Sequence, residues 1–256
     1  MSKNFIPTIS DPASGKAKGT ARFEGANIFP RAYCEGKGYI TSRDKDFFSC
    51  RVLVFAGKMT AVQAQKLGEV CQKYGRGYFT LTQRSNVHIP WIQYKDLENI
   101  TEELKEVGLC VGGVGPKVRP AHNCKGTVCR YGLIDTEAVS EQISVRFYKE
   151  YCDVKLPGKL RIEVGGCPNN CARPQFGCIG IQGREANKVA ISIGGMFGKS
   201  NVDGKMLAGL YSLTEAMNII EKVIHFYKNN GLAGERFAKT VERIGFANVE
   251  KVLLTI

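Results

Sequence analysis

The chain is short of acid: 24 aspartates and glutamates stand against 36 lysines and arginines, a formal net charge of +12 over 256 residues. That deficit points to an anionic partner, whether nucleic acid, an acidic protein or a polyanionic small molecule, or simply to a basic surface that aids solubility. Long apolar runs are missing as well, which excludes a bilayer-spanning helix. The segment Met1–Gly25 lacks the apolar core of a signal peptide, so a cytoplasmic protein with no membrane partner is expected. Histidine is scarce. His88, His122 and His225 have no paired metal-ligand spacing, so each reads as structural or surface, with His122 set two residues before Cys124. A phosphate loop is also absent, because Gly194-Gly-Met-Phe-Gly198-Lys199-Ser200 has three residues between its glycines where four are required.

What remains is ordinary in bulk and unusual in one respect. Hydrophobic content of 43% and charged content of 23% suit a soluble globular protein of one large domain or two small ones. Ten cysteines without a secretion signal argue against a disulfide scaffold and toward metal or redox chemistry.

Residues 1–45 lack periodicity and read as an arm. Val52 to Ala56, closed by Gly57, reads as a strand. Thr60 caps a helix with Ala64, Leu67, Val70 and Tyr74 on one face and Gly75 as its end. Tyr78 to Trp91 is strand-like and broken at Pro90. A second helix carries Leu97, Ile100, Leu104 and Val107 and stops at Gly108. Residues 46–113 thus form a small α+β unit, and Gly112-Gly113-Val114-Gly115-Pro116 marks a boundary before a second unit over 114–256. In that second unit a helix from about Asp135 turns Val139, Ile143 and Phe147 inward. Strands follow at Leu160–Val164 and Val189–Ile193. A last helix carries the stripe Ile219, Ile220, Val223 and Phe226, ending at Asn230-Gly231.

Four cysteines sit in two close pairs. Cys124 and Cys129 have four residues between them, in a segment that reads as the opening of a helix. Cys167 and Cys171 have three, after a strand ending in Gly165-Gly166. Structural zinc favours two-residue gaps, and so does a dithiol redox motif; neither is present. An iron–sulfur cube is larger than one ion, suits wider gaps and takes four thiolates. Cys124, Cys129, Cys167 and Cys171 are therefore the expected metal ligands. Cys50, Cys71, Cys110 and Cys152 sit singly in periodic segments and read as buried filler. Cys34 and Cys178 receive no role.

On these residues the chain resembles the sirohaem-containing sulfite and nitrite reductases, in order from about Arg51 to Gly195. Tyr-Phe-Thr-Leu-Thr-Gln-Arg84 is similar to that family's Thr-x-Arg strand. Lys-Val-Arg119 resembles the arginine before the cluster motif, and Pro-Gly-Lys159-Leu-Arg161 its Pro-x-Lys-x-Lys strand. Gly-Gly-Cys167-Pro-Asn-Asn-Cys171 is the most specific piece. The resemblance implies a ferredoxin-like α+β unit followed by a sirohaem- and cluster-binding α+β domain. It implies a [4Fe–4S] cluster joined to sirohaem through the Cys171 sulfur, and six-electron reduction of an anion. Arg84, Arg119, Lys159 and Arg161 would hold the substrate oxygens and help supply protons.

The pattern is not complete. The first cysteine gap is four residues where many full-length members have five. Arg161 stands where sulfite enzymes usually carry lysine and nitrite enzymes often carry an uncharged residue, which favours sulfite over nitrite. With no flavin, nicotinamide or eight-iron pattern, electrons are expected from an external donor, a ferredoxin-like protein or a reductase subunit. The chain has one copy of a module that longer members duplicate. A homodimer is therefore expected, with the cysteines of one chain facing the cations of the other. A non-catalytic iron–sulfur subunit has no need of the four cations, and a nucleic-acid partner is disfavoured because the charges are scattered.

Overall fold

The computed structural model describes residues 37–44, 46–151 and 153–255. Most of the expected arm, with Cys34 and Cys152, lies outside the described residues.

The first sheet is antiparallel throughout. It comprises β1 (Tyr39–Thr41), β2 (Phe48–Leu53), β3 (Thr80–Leu81), β4 (Val87–Ile92) and β5 (Cys110–Val111). Its order is β1-β2-β4-β3, with β5 also paired to β2. Two helices, α1 (Ala61–Tyr74) and α2 (Leu97–Glu106), complete the unit. Thr60 closes a capping box on α1: its hydroxyl accepts from Gln63 N–H, and the Gln63 side chain accepts from Thr60 N–H. Leu67, Val70 and Cys71 of α1 pack against Leu97, Ile100 and Leu104 of α2 in one core. Ala64, expected on that face, is exposed, and Cys71 takes the inward position.

Two strand expectations change. The strand expected over Val52–Ala56 ends at Leu53, because the chain turns at Phe55–Gly57 with positive φ at Ala56 (55°) and Gly57 (71°). The strand expected over Tyr78–Trp91 is a hairpin, β3 and β4, with Arg84 in the connecting turn. Pro90 does not break β4. It falls where the register with β2 shifts between Cys50↔Ile89 and Phe48↔Ile92, a bulge that tolerates a missing N–H.

The second sheet has order β10-β9-β8-β7-β6, with β11 also on β9. Its strands are β6 (His122–Asn123), β7 (Ile162–Gly165), β8 (Ile179–Glu185), β9 (Lys188–Ile193), β10 (Lys205–Met206) and β11 (Tyr211–Ser212). Strands β6, β7 and β8 run parallel, and the remaining pairs are antiparallel. Helix α3 (Thr136–Ile143), capped by Asp135, continues through a π-helical turn that buries Phe147. Helix α4 (Leu213–Asn230) lays Ile219, Ile220, Val223 and Phe226 into the core, as their spacing predicts. Helices α5 (Phe237–Ile244) and α6 (Phe246–Leu254) close the chain. The first cysteine pair does not open a helix; a single 3₁₀ turn, Gly126–Val128, lies within it. The fold is α+β. Among the described residues no helix is long and apolar enough to cross a membrane.

Thr60→Ala removes one half of the capping box. It is expected to lower stability by about 1 kcal/mol in chemical denaturation and to leave iron content unchanged, since α1 lies outside the cysteine loops.

Candidate metal centre and active site

Strand β7 organises the site. Before it stand Lys159 and Arg161, within it Glu163, and after it Cys167 and Cys171. Its neighbour β6 leads into Cys124, whose N–H donates to Val164 O at 3.1 Å. The two cysteine loops meet at a pair of glycines. A Cβ on Gly166 would lie 3.0 Å from Gly126 Cα, and one on Gly126 would lie 2.5 Å from Thr136 Cγ2. Only glycine permits so close a backbone approach. The Gly166 N–H points at the Cys124 sulfur, 3.3 Å away. The Cys167–Cys171 loop is shaped by Asn170, at φ 62°, whose amide donates to Gln175 and accepts from Gln182.

The result is one cavity of about 770 Å³ lined by Cys124, Cys129, Cys167 and Cys171 together. A second cavity of about 470 Å³ adjoins it, lined by Arg84, Arg161, Glu163 and Phe197 among others. Cys171 and His122 line both. The thiol expected to bridge two cofactors thus stands at the wall between two spaces.

Of the four expected cations, Arg84 and Arg161 face the second cavity; Arg119 and Lys159 do not line it. Glu163, 7% exposed, ion-pairs with Arg84 and lies 2.9 Å from His122 Nδ1 through its other oxygen. Arg84 also donates to Pro120 O at 3.1 Å. Burial, then the nearby charges of Arg51, Arg161 and Arg84, pushes the Arg119 guanidinium down to about 10. Lys159 and Arg161 are lowered for the same two reasons, burial first and neighbouring cations second. Glu163 and Arg173, which also lines the second cavity, escaped the sequence reading, and His122 is expected there only as a structural or surface residue. A lone acid between Ile162 and Val164 in a buried strand was the available signal. Since Arg84, Arg161 and Cys171 share one cavity within one chain, a site divided between two chains is not required to bring them together.

Elsewhere Cys50, Cys71 and Cys178 are buried, and Cys110, expected to be buried, is exposed on the two-residue strand β5. His88 receives a hydrogen bond from Arg51, and His225 meets Tyr151.

Residues 114–255 match the family described as the nitrite and sulphite reductase 4Fe-4S domain, and residues 40–107 match the nitrite/sulfite reductase ferredoxin-like half domain. The chain belongs to the nitrite and sulphite reductase family. A protein of Nitratidesulfovibrio vulgaris named "Sulfite reductase, assimilatory-type" is 30% identical over 86% of this chain and 98% of that one. A Bacillus subtilis "Nitrite reductase [NAD(P)H]" is 22% identical over 98% of this chain but only 29% of its own length. Among solved structures, that of the Mycobacterium tuberculosis NirA protein superposes with a TM-score of 0.72 at 18% identity, over 83% of this chain and 42% of that one. Dissimilatory sulfite reductase I gives 0.71 at 17% identity, over 82% and 69%. These two likenesses concern the fold alone.

Membership makes the protein an oxidoreductase and implies a [4Fe–4S] cluster and sirohaem. The cysteine cavity fits the cluster: Cys124, Cys129, Cys167 and Cys171 all line one space, and a cube takes four thiolates. The N–H aimed at Cys124 sulfur is the kind of contact that stabilises a cluster thiolate.

Two outcomes are expected. The anaerobically purified protein carries about four non-haem irons, matching acid-labile sulfide and one sirohaem per chain; one zinc without sulfide would contradict this. Cys171→Ser loses haem–cluster coupling in paramagnetic resonance together with activity, whereas Cys178→Ser, buried apart from both cavities, keeps both.

Proposed function

We propose that the chain reduces sulfite to sulfide in a six-electron reaction fed by an external donor. The observation that carries this reading is the cavity in which Arg84 and Arg161 stand beside Cys171. A non-catalytic electron carrier has no use for three guanidinium groups, those of Arg84, Arg161 and Arg173, in a cleft next to its cluster ligand. When bound, sirohaem would supply an iron for the anion and the cluster would supply electrons. The chain's own contribution is to bind and orient the anion. Guanidinium groups offer forked N–H donors to its oxygens, and Glu163, by gripping Arg84, holds one fork in place. Retained charge at Arg161 favours sulfite over nitrite, the alternative substrate of the same machinery.

An acidic donor, such as a ferredoxin-like protein or a reductase subunit, suits the exposed Lys125 and Arg130 on the rim of the cysteine cavity. A homodimer belongs to the same reading. Phe197, exposed on the second cavity, offers apolar surface that a second chain would cover. A cytoplasmic setting, which keeps unligated thiols such as Cys50 and Cys71 reduced, belongs to the same reading.

With a reduced dye as donor, kcat/KM for sulfite is expected to exceed that for nitrite, and Arg161→Gln should lower the sulfite value by about 10²-fold. A preference for nitrite would overturn the substrate assignment. Sedimentation should give twice the 28.2 kDa chain mass.

A further inference from the structure

Next to the second cavity, basic side chains are gathered without an ion-pair partner among the described residues. The segment before α5 lies against the Pro157–Lys159 turn: Gly234 N–H donates to Pro157 O at 3.0 Å, and a Cβ on Gly158 would stand 2.7 Å from Glu235 O. That contact sets Arg236 beside Lys159. On the other flank Arg119 N–H donates to Leu160 O at 2.9 Å, and Leu160 N–H donates to Lys117 O at 3.0 Å. Arg119, Lys159, Arg161 and Arg236 are thereby drawn from three separate parts of the chain to one place.

Carboxylates are close, but they are engaged elsewhere. Glu163 is held by Arg84 and His122. Glu235, the neighbour of Arg236 in sequence, accepts from Arg243, from Thr240 Oγ1 at 2.8 Å and from Leu232 N–H at 2.9 Å. Among the described residues no acidic side chain forms an ion pair with any of the four cations. The Nε atoms of Arg119 and Arg236 are both buried without a hydrogen-bond partner. A buried donor left unmatched is costly, and so is a cluster of like charges in a region of low dielectric. Arg236 is among the groups whose charge depresses both Lys159 and Arg161. An anion lodged there would satisfy the orphan donors and relieve the repulsion together.

We propose that Arg236 completes, with Arg119, Lys159 and Arg161, a receptor for anionic oxygens, those of a tetrapyrrole carboxylate or of the oxyanion substrate. The inference rests on the functional reading given to Arg161 and extends it to a residue far outside the cysteine and arginine motifs.

The test compares Arg236→Gln with Arg161→Gln in the holoenzyme. Sirohaem per chain is read from the extracted pigment, and sulfite affinity from the shift of the haem absorption on titration. If the receptor holds a tetrapyrrole carboxylate, R236Q loses at least about half its sirohaem while the remaining sites keep their sulfite affinity. If it holds the substrate, sirohaem stays complete and the sulfite Kd rises about tenfold, the effect of removing one charged hydrogen-bond donor. A folded R236Q that matches wild type in both, beside an impaired R161Q, overturns this inference and leaves the functional reading intact. Silence in both variants overturns both. Should R236Q fail to fold, Arg236→Met, which keeps the buried stem, carries the same comparison.

Discussion

The ion pair between Arg84 and Glu163 joins the two halves of the molecule at the place where chemistry is expected. Arg84 sits in a hairpin turn of the first sheet, and Glu163 in the central strands of the second. A carboxylate buried this far is tolerable only with partners, and breaking one side of such a pair costs about 3–5 kcal/mol. The pair therefore fixes a guanidinium at the mouth of the second cavity and sets how the first sheet meets the second. His122, on the other oxygen of Glu163 and two residues before Cys124, carries the same restraint to the start of the first cysteine loop.

From that anchor the division of labour along β7 follows. The residues before the strand supply cations, the strand supplies the carboxylate that holds Arg84, and the loop after it supplies two thiols. A parallel neighbour, β6, delivers the other two thiols to the same end of the sheet. The ligand loops emerge at the carboxyl ends of parallel strands, where chain ends and backbone amides converge. Glycines 126 and 166 let the loops touch, and the thiols then bound a space wider than a single ion needs. The excess of basic residues over acids acquires a local meaning here: Arg84, Arg161 and Arg173 line the cavity beside Cys171 against one acid, Glu163, which Arg84 and His122 engage.

Much of this was legible in the sequence because it is local. The capping box at Thr60, the stop at Gly108, the apolar stripe of α4 and the paired cysteines depend on spacing within one or two turns. What was hidden is non-local. The hairpin at Arg84 reads as one strand because its turn, Gln83-Arg84-Ser85-Asn86, carries neither glycine nor proline between two strand-like stretches. The role of Pro90 depended on a bulge set by β2, a strand some forty residues away. Strand β8 went unnoticed because Gly180 and Gly183 interrupt its apolar pattern; there the glycines admit close backbone contacts with Pro174 and Gly166. Glu163 and Arg236 declare themselves only when their partners, or the lack of partners, are visible in three dimensions.

In the proposed arrangement one chain holds a cluster and a haem side by side at Cys171, with an anion-binding space next to them. The absorption spectrum of the anaerobically purified protein, recorded before and after adding sulfite, tests it most directly. The account predicts strong sirohaem bands in the blue and red that shift when sulfite binds. A broad brown shoulder alone, unchanged by sulfite, would show a cluster without a haem and contradict it.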